Sequence, residues 1–364
     1  MCRWIPKELL RLHTEERRSR MCAELKEHCA RKDEQFLNKI LTCDETWFRF
    51  KKAKMLEQGS KEFQQSVCEN FNTSVKQVEQ DVETLRDWLK SQPHLPQSAS
   101  DTMLKAYMIG CKNRMEQVKQ RLDNYYTVRK VMPDIFEERD PLTHLMKECN
   151  EEIHWYTLPK LTPEGYRVTM GRIVTGDLTK YNLIQFTKRL LMMEDIKLNQ
   201  EAFYNGNYFV FNADNYVLGH VLRLTPHIAR ELMYCVQDVL PMLIKGIIFI
   251  NAPSYLDLLL NIMKPFMKGK LFQRIHVHTE GPEILEKYFP RALLPKDMGG
   301  EEETCDTLNK AWAKTMEDHR DWFLSEGLLT SDEKKRIPNK SPGKLKGSLD
   351  LQELQGSFKT LCID

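Results

Sequence analysis

In residues 245–300 the spacing of hydrophobic residues predicts a strand followed by a helix. Residues 246–250 are an unbroken apolar run, typical of a strand that is buried on both faces of a parallel sheet. Residues 254–267 predict a helix with apolar residues on nearly every side and Ser254 as its N-cap. Such a helix is either part of the core or the wall of an apolar cavity.

Strand and helix patterns alternate upstream of this segment and continue after it. Residues 166–173 and 208–212 predict strands, and residues 275–278 predict a third, short one. Helices are expected over residues 178–196 and, from a Thr-Pro start, over residues 226–240. Strands alternating with helices across short connections predict an α/β domain over residues 140–304, with a mainly parallel sheet and crossover helices.

The segment before this domain has only helical patterns. Apolar residues spaced by three and four positions predict an amphipathic helix, and they are Phe71, Val75, Val78, Val82, Leu85 and Leu89. Further helices follow over residues 101–110 and, with Asn113 as N-cap, up to Val128 before Pro133. Residues 65–135 are therefore expected to form an all-helical subdomain.

Three flanking segments complete the predicted organisation. Residues 51–64 are polar and contain Gly-Ser, which indicates a linker. Residues 305–326 predict a C-terminal helix. Residues 327–364 are rich in cations, proline and glycine, so we expect a disordered basic tail.

Composition and charge indicate a globular protein with no need for disulfides. Apolar residues make up 41% and charged residues 29% of the 364, and the net charge of +2 argues against a nucleic-acid-binding surface. The ten cysteines form no CxxC pair, which favours reduced thiols and a cytoplasmic location. No apolar run is long enough to span a membrane. We expect a monomer.

Catalytic signatures are absent from the sequence. There is no GxSxG, Walker loop, GxGxxG or HExxH motif. His276 and His278 lack a third metal ligand nearby, and Asp214 and His220 lack a matching serine. We therefore expect no enzymatic activity, no catalytic residues, no metal site and no cofactor.

Four ordered motifs in residues 245–303 resemble a known family. They are INAP, a helix ending in MKPFM, KLFQRIHVH, and FPRALLPKDMGGEEE. Together they resemble the second half of a CRAL-TRIO (Sec14-like) lipid-binding domain of the tocopherol-transfer branch. Residues 98–129 resemble the helical region that precedes this domain in the family. The resemblance implies a CRAL-TRIO sheet with a gate helix over an apolar pocket.

The resemblance also implies two sets of site residues. Lys245, Lys270 and Arg274 correspond to cations that bind phosphoinositide head groups in tocopherol-transfer relatives. The implied pocket residues are Arg189, Met193, Phe211, Leu232, Cys235, Leu240, Met242, Ile247, Leu256, Leu259, Leu260 and Met263. Arg189 and Met193 stand where vitamin E binders have small hydroxyl residues, so the resemblance does not carry over tocopherol as the ligand.

Residues 1–50 resemble a different family. WIPKELLRLHTEERRSRM and QFLNKILTCDETWFRF are similar to the start of the catalytic domain of mariner-family transposases. Asp44 corresponds to the first of three metal-binding carboxylates there, but the strand end that would bring the second does not follow. We expect this fragment to be inert.

The sequence thus predicts binding and intracellular transfer of a small hydrophobic ligand, which is a lipid or a tocopherol-like or retinoid-like molecule, with release assisted by phosphoinositides at the membrane surface. Lysines near an apolar helix suit this role, because each cation near an anionic leaflet contributes about 1 kcal/mol. Two alternatives stay open: an interaction protein whose cavity is filled by side chains, and residual metal-dependent DNA cleavage by the transposase-like fragment.

Overall fold

A computed structural model describes residues 56–337 of the chain, and elements are numbered from its first described helix. The helical region contains α1 (Lys61–Glu69), α2 (Val75–Lys90), α3 (Asp101–Gly110), α4 (Met115–Val131) and α5 (Pro133–Phe136). Val78, Val82, Leu85 and Leu89 of α2 are buried along one face, as their spacing predicts.

The second part of the chain is an α/β domain. It is made of α6 (His144–Glu152), β1 (Ile153–Thr157), β2 (Tyr166–Ile173), α7 (Leu183–Gln200), β3 (Gly206–Asn212), α8 (Leu218–Leu222), α9 (Pro226–Tyr234), a π-helix (Cys235–Val239), β4 (Ile244–Ile250), α10 (Leu256–Met263), α11 (Gly269–Phe272) and β5 (Ile275–Val277). The five strands form one sheet in sequence order. Strands β2 to β5 are parallel, and β1 pairs antiparallel with β2. The α/β prediction is confirmed.

Several element boundaries differ from the sequence prediction. Strand β1, which follows α6 without a break, was not predicted. Helix α7 begins at Leu183 because Asn182 is its N-cap and accepts a hydrogen bond from the Gln185 amide. The helix expected to run to Leu240 becomes a π-helix after Tyr234.

The segment expected to be a linker is ordered where the structure describes it. Residues 61–64 form the first turn of α1, and Ser60 caps it by accepting from the Phe63 amide. Leu56 is buried, and the Glu57 amide donates to the Pro159 carbonyl. The Arg167 guanidinium donates to the Glu57 carbonyl. Residues 56–64 are therefore packed against the α/β domain.

The C-terminal part forms α12 (Cys305–Asp318) and α13 (Arg320–Phe323), so the single helix predicted for residues 305–326 is interrupted. Trp312 anchors α12 to the sheet edge by donating from Nε1 to the Thr157 carbonyl, 2.9 Å away. Residues 327–337 were expected to begin a disordered tail, but they pack along the helical region. Arg336 pairs with Asp123 at 2.6 Å, and the Ser331 amide donates to the Tyr126 carbonyl. Residues 338–364 lie outside the described residues.

A buried cluster of charges joins the helical region to α7. Asp195 accepts from Arg129 (2.8 Å) and Arg139 (2.7 Å), and the Tyr125 hydroxyl donates to it at 2.7 Å. Burial opposes ionisation of this carboxyl, but the two guanidinium groups hold the pKa of Asp195 below its usual value. This buried cluster links the helical region to α7, and removing one of its charged partners would lower the free energy of unfolding.

Candidate functional site: an apolar cavity under α10

One face of the sheet is the floor of a cavity with a volume of about 200 Å³. Alternate residues of the strands point to this face, among them Trp155, Phe209, Phe211, Ile247 and Phe249. The walls come from α7, α9 and the following π-helix, and the roof comes from α10 and Met267. These elements contribute Leu183, Phe186, Leu190, Leu232, Met233, Val236, Leu256, Leu259, Leu260 and Met263.

Trp155 lies flat across the floor because its cross-strand partner is glycine. Trp155 pairs with Gly171, and a Cβ at Gly171 would stand 2.5 Å from Cε3 and 2.7 Å from Cζ3 of the indole. The ring stacks on Phe209 with a centroid distance of 6.1 Å and meets Phe186 edge-on at 5.5 Å. The glycine thus fixes where the indole sits in the cavity.

Few polar side-chain atoms face this space. Arg172 and Asn212 are among the lining residues, but strand alternation directs their side chains to the opposite face. There, the Arg172 Nε lies 3.4 Å from the His154 ring. The hydroxyls of Tyr181 and Tyr216 bond to each other, and burial raises the pKa of Tyr216 to about 12. The cavity therefore suits an uncharged, apolar occupant.

Eight of the twelve predicted pocket residues line this cavity. They are Phe211, Leu232, Met242, Ile247, Leu256, Leu259, Leu260 and Met263. Side chains do not fill the space between them. Whether these eight contact a ligand stays a prediction.

The other four predicted pocket residues do not line the cavity. Arg189 is buried and donates to the carbonyls of Ile153 and Trp155 and to Asn309, so it ties α7 to β1 and α12. Met193 is fully buried in the core. The Cys235 sulfur lies 4.0 Å from that of Met132, toward the helical region. Leu240 is buried there as well, and its carbonyl accepts from Arg121 of α4.

Helix α10 is the roof of the cavity and lies at the molecular surface. Leu256, Leu259, Leu260 and Met263 share its inner face, following the helical repeat. Leu258 points outward and is 41% exposed. The helix starts later than predicted, with Tyr255 rather than Ser254 at the N-cap. The helix was expected to be either part of the core or the wall of an apolar cavity, and its position in the structure matches the second expectation.

The segment after α10 is hydrogen-bonded and ion-paired to the π-helix. Gln237 donates to the Phe266 carbonyl at 2.9 Å and accepts from the Lys268 amide at 2.7 Å. The Lys268 ammonium also pairs with Asp238. We call Gln237, Asp238 and Lys268 the latch. Both latch residues of the π-helix sit in its single turn, an irregularity that often occurs at functional sites.

The three predicted head-group cations occupy neighbouring elements at the amino ends of β4 and β5. Lys245 is exposed on β4, Lys270 is exposed on α11, and Arg274 immediately precedes β5. The Arg274 guanidinium donates to the Ile244 carbonyl, which fixes it beside Lys245. Within residues 56–337, none of the three pairs with a carboxylate. Head-group binding by them stays a prediction.

The other candidate residues within the described part of the chain pack against neighbouring residues or face solvent. His278 bonds to the Tyr288 hydroxyl at 2.8 Å, and His276 packs against the same ring at 5.3 Å. His220 accepts from the Val217 amide and is fully buried, whereas Asp214 is exposed. In the described part of the chain, no three His, Cys, Asp or Glu side chains cluster to hold a metal. Asp44 lies outside that part.

Sequence reasoning missed the aromatic floor of the cavity. Trp155, Phe186 and Phe209 line the cavity but were not among the predicted pocket residues. They belong to a strand that was not predicted, to the first turn of α7 and to β3. The available signal was the pairing of a glycine with a tryptophan across two strands. That signal appears only once the register of β1 and β2 is known.

Two family models match the chain. Residues 155–300 match "CRAL/TRIO domain", and residues 74–146 match "Pinta-like, UBA domain". The CRAL/TRIO match agrees with the α/β fold of residues 155–300 and with the CRAL-TRIO resemblance of this part of the chain.

The chain is similar to two curated relatives and to one solved structure. The human alpha-tocopherol transfer protein-like protein is 26% identical over 248 residues, which cover 68% of this chain and 71% of that protein. Human clavesin-2 is 23% identical over 251 residues, covering 68% of this chain and 76% of clavesin-2. The crystal structure of Sfh5 aligns with 83% of this chain and 99% of its own, with 15% identity and a TM-score of 0.39.

Among residues 56–337, no helix combines the length and the apolar character that crossing a bilayer demands.

Proposed function

We propose that this protein binds a small hydrophobic molecule in the cavity under α10 and transfers it between membranes, with release assisted by phosphoinositides. The observation that supports this proposal is the apolar cavity itself, closed by a surface helix rather than by the core. The relatives named above include one whose name refers to tocopherol transfer, which agrees with a lipophilic cargo.

Release requires α10 to move away from the sheet. Opening would expose the inner-face residues Leu256, Leu259, Leu260 and Met263 at up to about 1.5–3 kcal/mol each. A membrane can offset this cost, because these side chains can enter the lipid interface. Exposed apolar residues already lie on the outer side of this region. Leu258 on α10 is 41% exposed, and on the adjacent α8 Leu218 is 44% and Leu222 is 66% exposed.

The cations beside α10 give this contact its preference for anionic lipid. Lys245, Lys270 and Arg274 are not neutralised by carboxylates in the described part of the chain, so they remain available to phosphate groups. Several clustered cations are needed, since each contributes about 1 kcal/mol near an anionic surface. Screening by salt should weaken this attraction.

The test is the transfer of a fluorescent hydrophobe from the protein to vesicles. We expect the rate to increase when phosphoinositide is added to phosphatidylcholine vesicles and to decrease with ionic strength. The double variant Lys270→Ala, Arg274→Ala should bind the hydrophobe but lose the phosphoinositide effect. The matched control is Lys76→Ala, Lys130→Ala, which removes two exposed cations from α2 and α4. A wild-type rate in the Lys270 and Arg274 variant would contradict the proposed role of the cations.

A further inference from the structure

The end of the π-helix is bound by α4 of the helical region. Pro241 has no N–H group and cannot donate to the Val236 carbonyl five positions earlier, so the π-helix ends there. The last carbonyls of a helix have no partner within it. Here the Arg121 guanidinium donates from Nη2 to the Gln237 carbonyl at 2.8 Å and from Nη1 to the Leu240 carbonyl at 2.6 Å.

Two further side chains of the helical region continue this contact. The Asn124 amide of α4 donates to the Asp238 carbonyl at 2.8 Å. The Tyr107 hydroxyl of α3 donates to the Val239 carbonyl at 3.2 Å. Each carbonyl of residues 237–240 therefore accepts from the helical region. We call the three donors the clamp, and they are Tyr107, Arg121 and Asn124.

The backbone of α3 approaches the end of the π-helix closely beside the clamp. A Cβ added at Gly110, the last residue of α3, would stand 2.0 Å from the Pro241 carbonyl oxygen. Tyr107 is fully buried and Asn124 is 6% exposed. The clamp thus binds the π-helix from a fixed position in closely packed surroundings.

The clamp and the latch share two residues of the π-helix. The side chains of Gln237 and Asp238 hold residues 266–268, whereas their carbonyls accept from the clamp. A π-helix that is free to move can follow α10 outward, so opening leaves the latch bonds intact. A π-helix that the clamp fixes cannot follow, so opening has to break them. The resistance of the latch to opening therefore depends on the clamp.

We propose that Arg121 is the principal positioning residue of the latch, assisted by Tyr107 and Asn124, and that the helical region thereby sets the rate at which the cavity releases its occupant. This inference rests on the proposed function, because it requires α10 to move during release. Arg121 binds the backbone of the π-helix and does not line the cavity. A change in release rate on its substitution therefore reports on the π-helix and not on contact with the bound molecule.

The test measures the stopped-flow transfer of diphenylhexatriene, an apolar fluorophore, from the loaded protein to phosphatidylcholine vesicles. Arg121→Met removes both hydrogen bonds and keeps an unbranched side chain, so we expect release about fivefold faster than in the wild type. The matched control is Arg114→Met, because Arg114 is exposed at the N-cap of the same helix. This control should release at the wild-type rate.

A milder variant keeps the test valid if Arg121→Met folds poorly. Tyr107→Phe removes one hydroxyl from a fully buried side chain and should release about twofold faster than the wild type. Its control is Tyr126→Phe, a buried tyrosine of α4 whose hydroxyl bonds to Ser98 rather than to the π-helix. Wild-type rates in both Arg121→Met and Tyr107→Phe would overturn the inference.

A double variant separates positioning of the latch from general loosening of the protein. If Arg121 acts through the latch, adding Arg121→Met to Gln237→Ala should leave the Gln237→Ala rate nearly unchanged. Fold increases that multiply in the double variant would overturn the inference. Val82→Ala on α2, which carries no clamp residue, should lower the melting temperature but keep the wild-type release rate. Equal acceleration by Val82→Ala and Arg121→Met would also overturn it.

Failure of the proposed function gives a different result. Wild-type protein that takes up no diphenylhexatriene would contradict the proposed function and this inference together. Normal uptake with unaltered release from the clamp variants would contradict this inference alone.

Discussion

The ionisation of Glu231 links pH to stability. It is buried on α9, and burial together with the nearby Asp134 carboxylate raises its pKa to about 7. The raised pKa means that the folded state favours the protonated carboxyl. The contribution of the protonated Glu231 carboxyl to the free energy of unfolding is therefore complete below about pH 4.5 and is lost as the pH rises through 7.

We predict that Glu231→Gln gains stability relative to the wild type as the pH rises from 5 to 8, by about 1–3 kcal/mol at most. Urea unfolding at several pH values measures this difference. The chain offers a matched control, because a second His–Glu pair has the same geometry but is exposed. The His227 Nε2 atom lies 3.3 Å from Glu231 Oε1 four positions later, and the His144 Nδ1 atom lies 3.3 Å from Glu148 Oε2 at the same spacing. Glu148→Gln should show no such trend, and a similar trend in both variants would argue against burial as the cause.

At the same scale, single residues were the least predictable part of the site. The four inner-face residues of α10 came from the family resemblance, and all four line the cavity. The same resemblance also implied Arg189 and Met193, which do not line it. Both lie on α7, which is buried on most sides, so spacing alone does not show which side faces the cavity.

Element by element, the sheet and its crossover helices followed from the pattern, and β2 was predicted with its observed bounds. The edge strand β1 was missed because its five residues are all buried and so lack the alternation that marks a half-exposed strand. The π-helix was also not foreseen. Residues 226–240 have a continuous helical pattern, which does not report a change in backbone hydrogen bonding.

We predict that weakening the latch speeds release of the bound hydrophobe. Asp238→Asn removes the charge that pairs with Lys268, and Gln237→Ala removes two hydrogen bonds to residues 266 and 268. The exposed ion pair is worth at most about 1 kcal/mol, so Asp238→Asn should increase the rate up to about fivefold. Gln237→Ala should have the larger effect, because it removes two bonds at once.

Stopped-flow transfer to neutral vesicles measures both rates. The control is Asp321→Asn, an exposed aspartate on α13, outside the cavity and the latch. Unchanged rates in both latch variants would show that the π-helix does not restrain α10.

For the whole molecule, contacts between distant parts of the chain determine the order of two segments that local sequence did not predict. Residues 327–337 look like a polar tail, but Arg336 pairs with Asp123, 213 positions away. Residues 56–60 look like a linker, but they cover the α/β domain. Local composition carries no information about such partners, so both segments were expected to be less ordered than they are.

Two truncated proteins test the role of residues 54–60. We expect a protein beginning at residue 61 to melt several degrees below one beginning at residue 54, because it loses buried Leu56 and the Glu57 carbonyl that accepts from Arg167. Burial of one leucine is worth about 1.5–3 kcal/mol, and 1 kcal/mol shifts the melting temperature of a domain of this size by about 2–4 °C. Differential scanning calorimetry on the pair gives the answer, and equal melting temperatures would mean that the segment adds nothing.

The central claim is that the cavity under α10 holds a hydrophobic molecule. Native mass spectrometry of the protein after incubation with a natural lipid extract tests it most directly. The comparison uses two substitutions on the same helix: Leu260→Trp places a large ring on the cavity side, and Leu258→Trp places it on the exposed side.

We predict one small hydrophobic molecule per chain in the wild type and in Leu258→Trp, and none in Leu260→Trp. A wild-type protein that never retains such a molecule, or a Leu260→Trp variant that retains it as well as the wild type, would contradict the account.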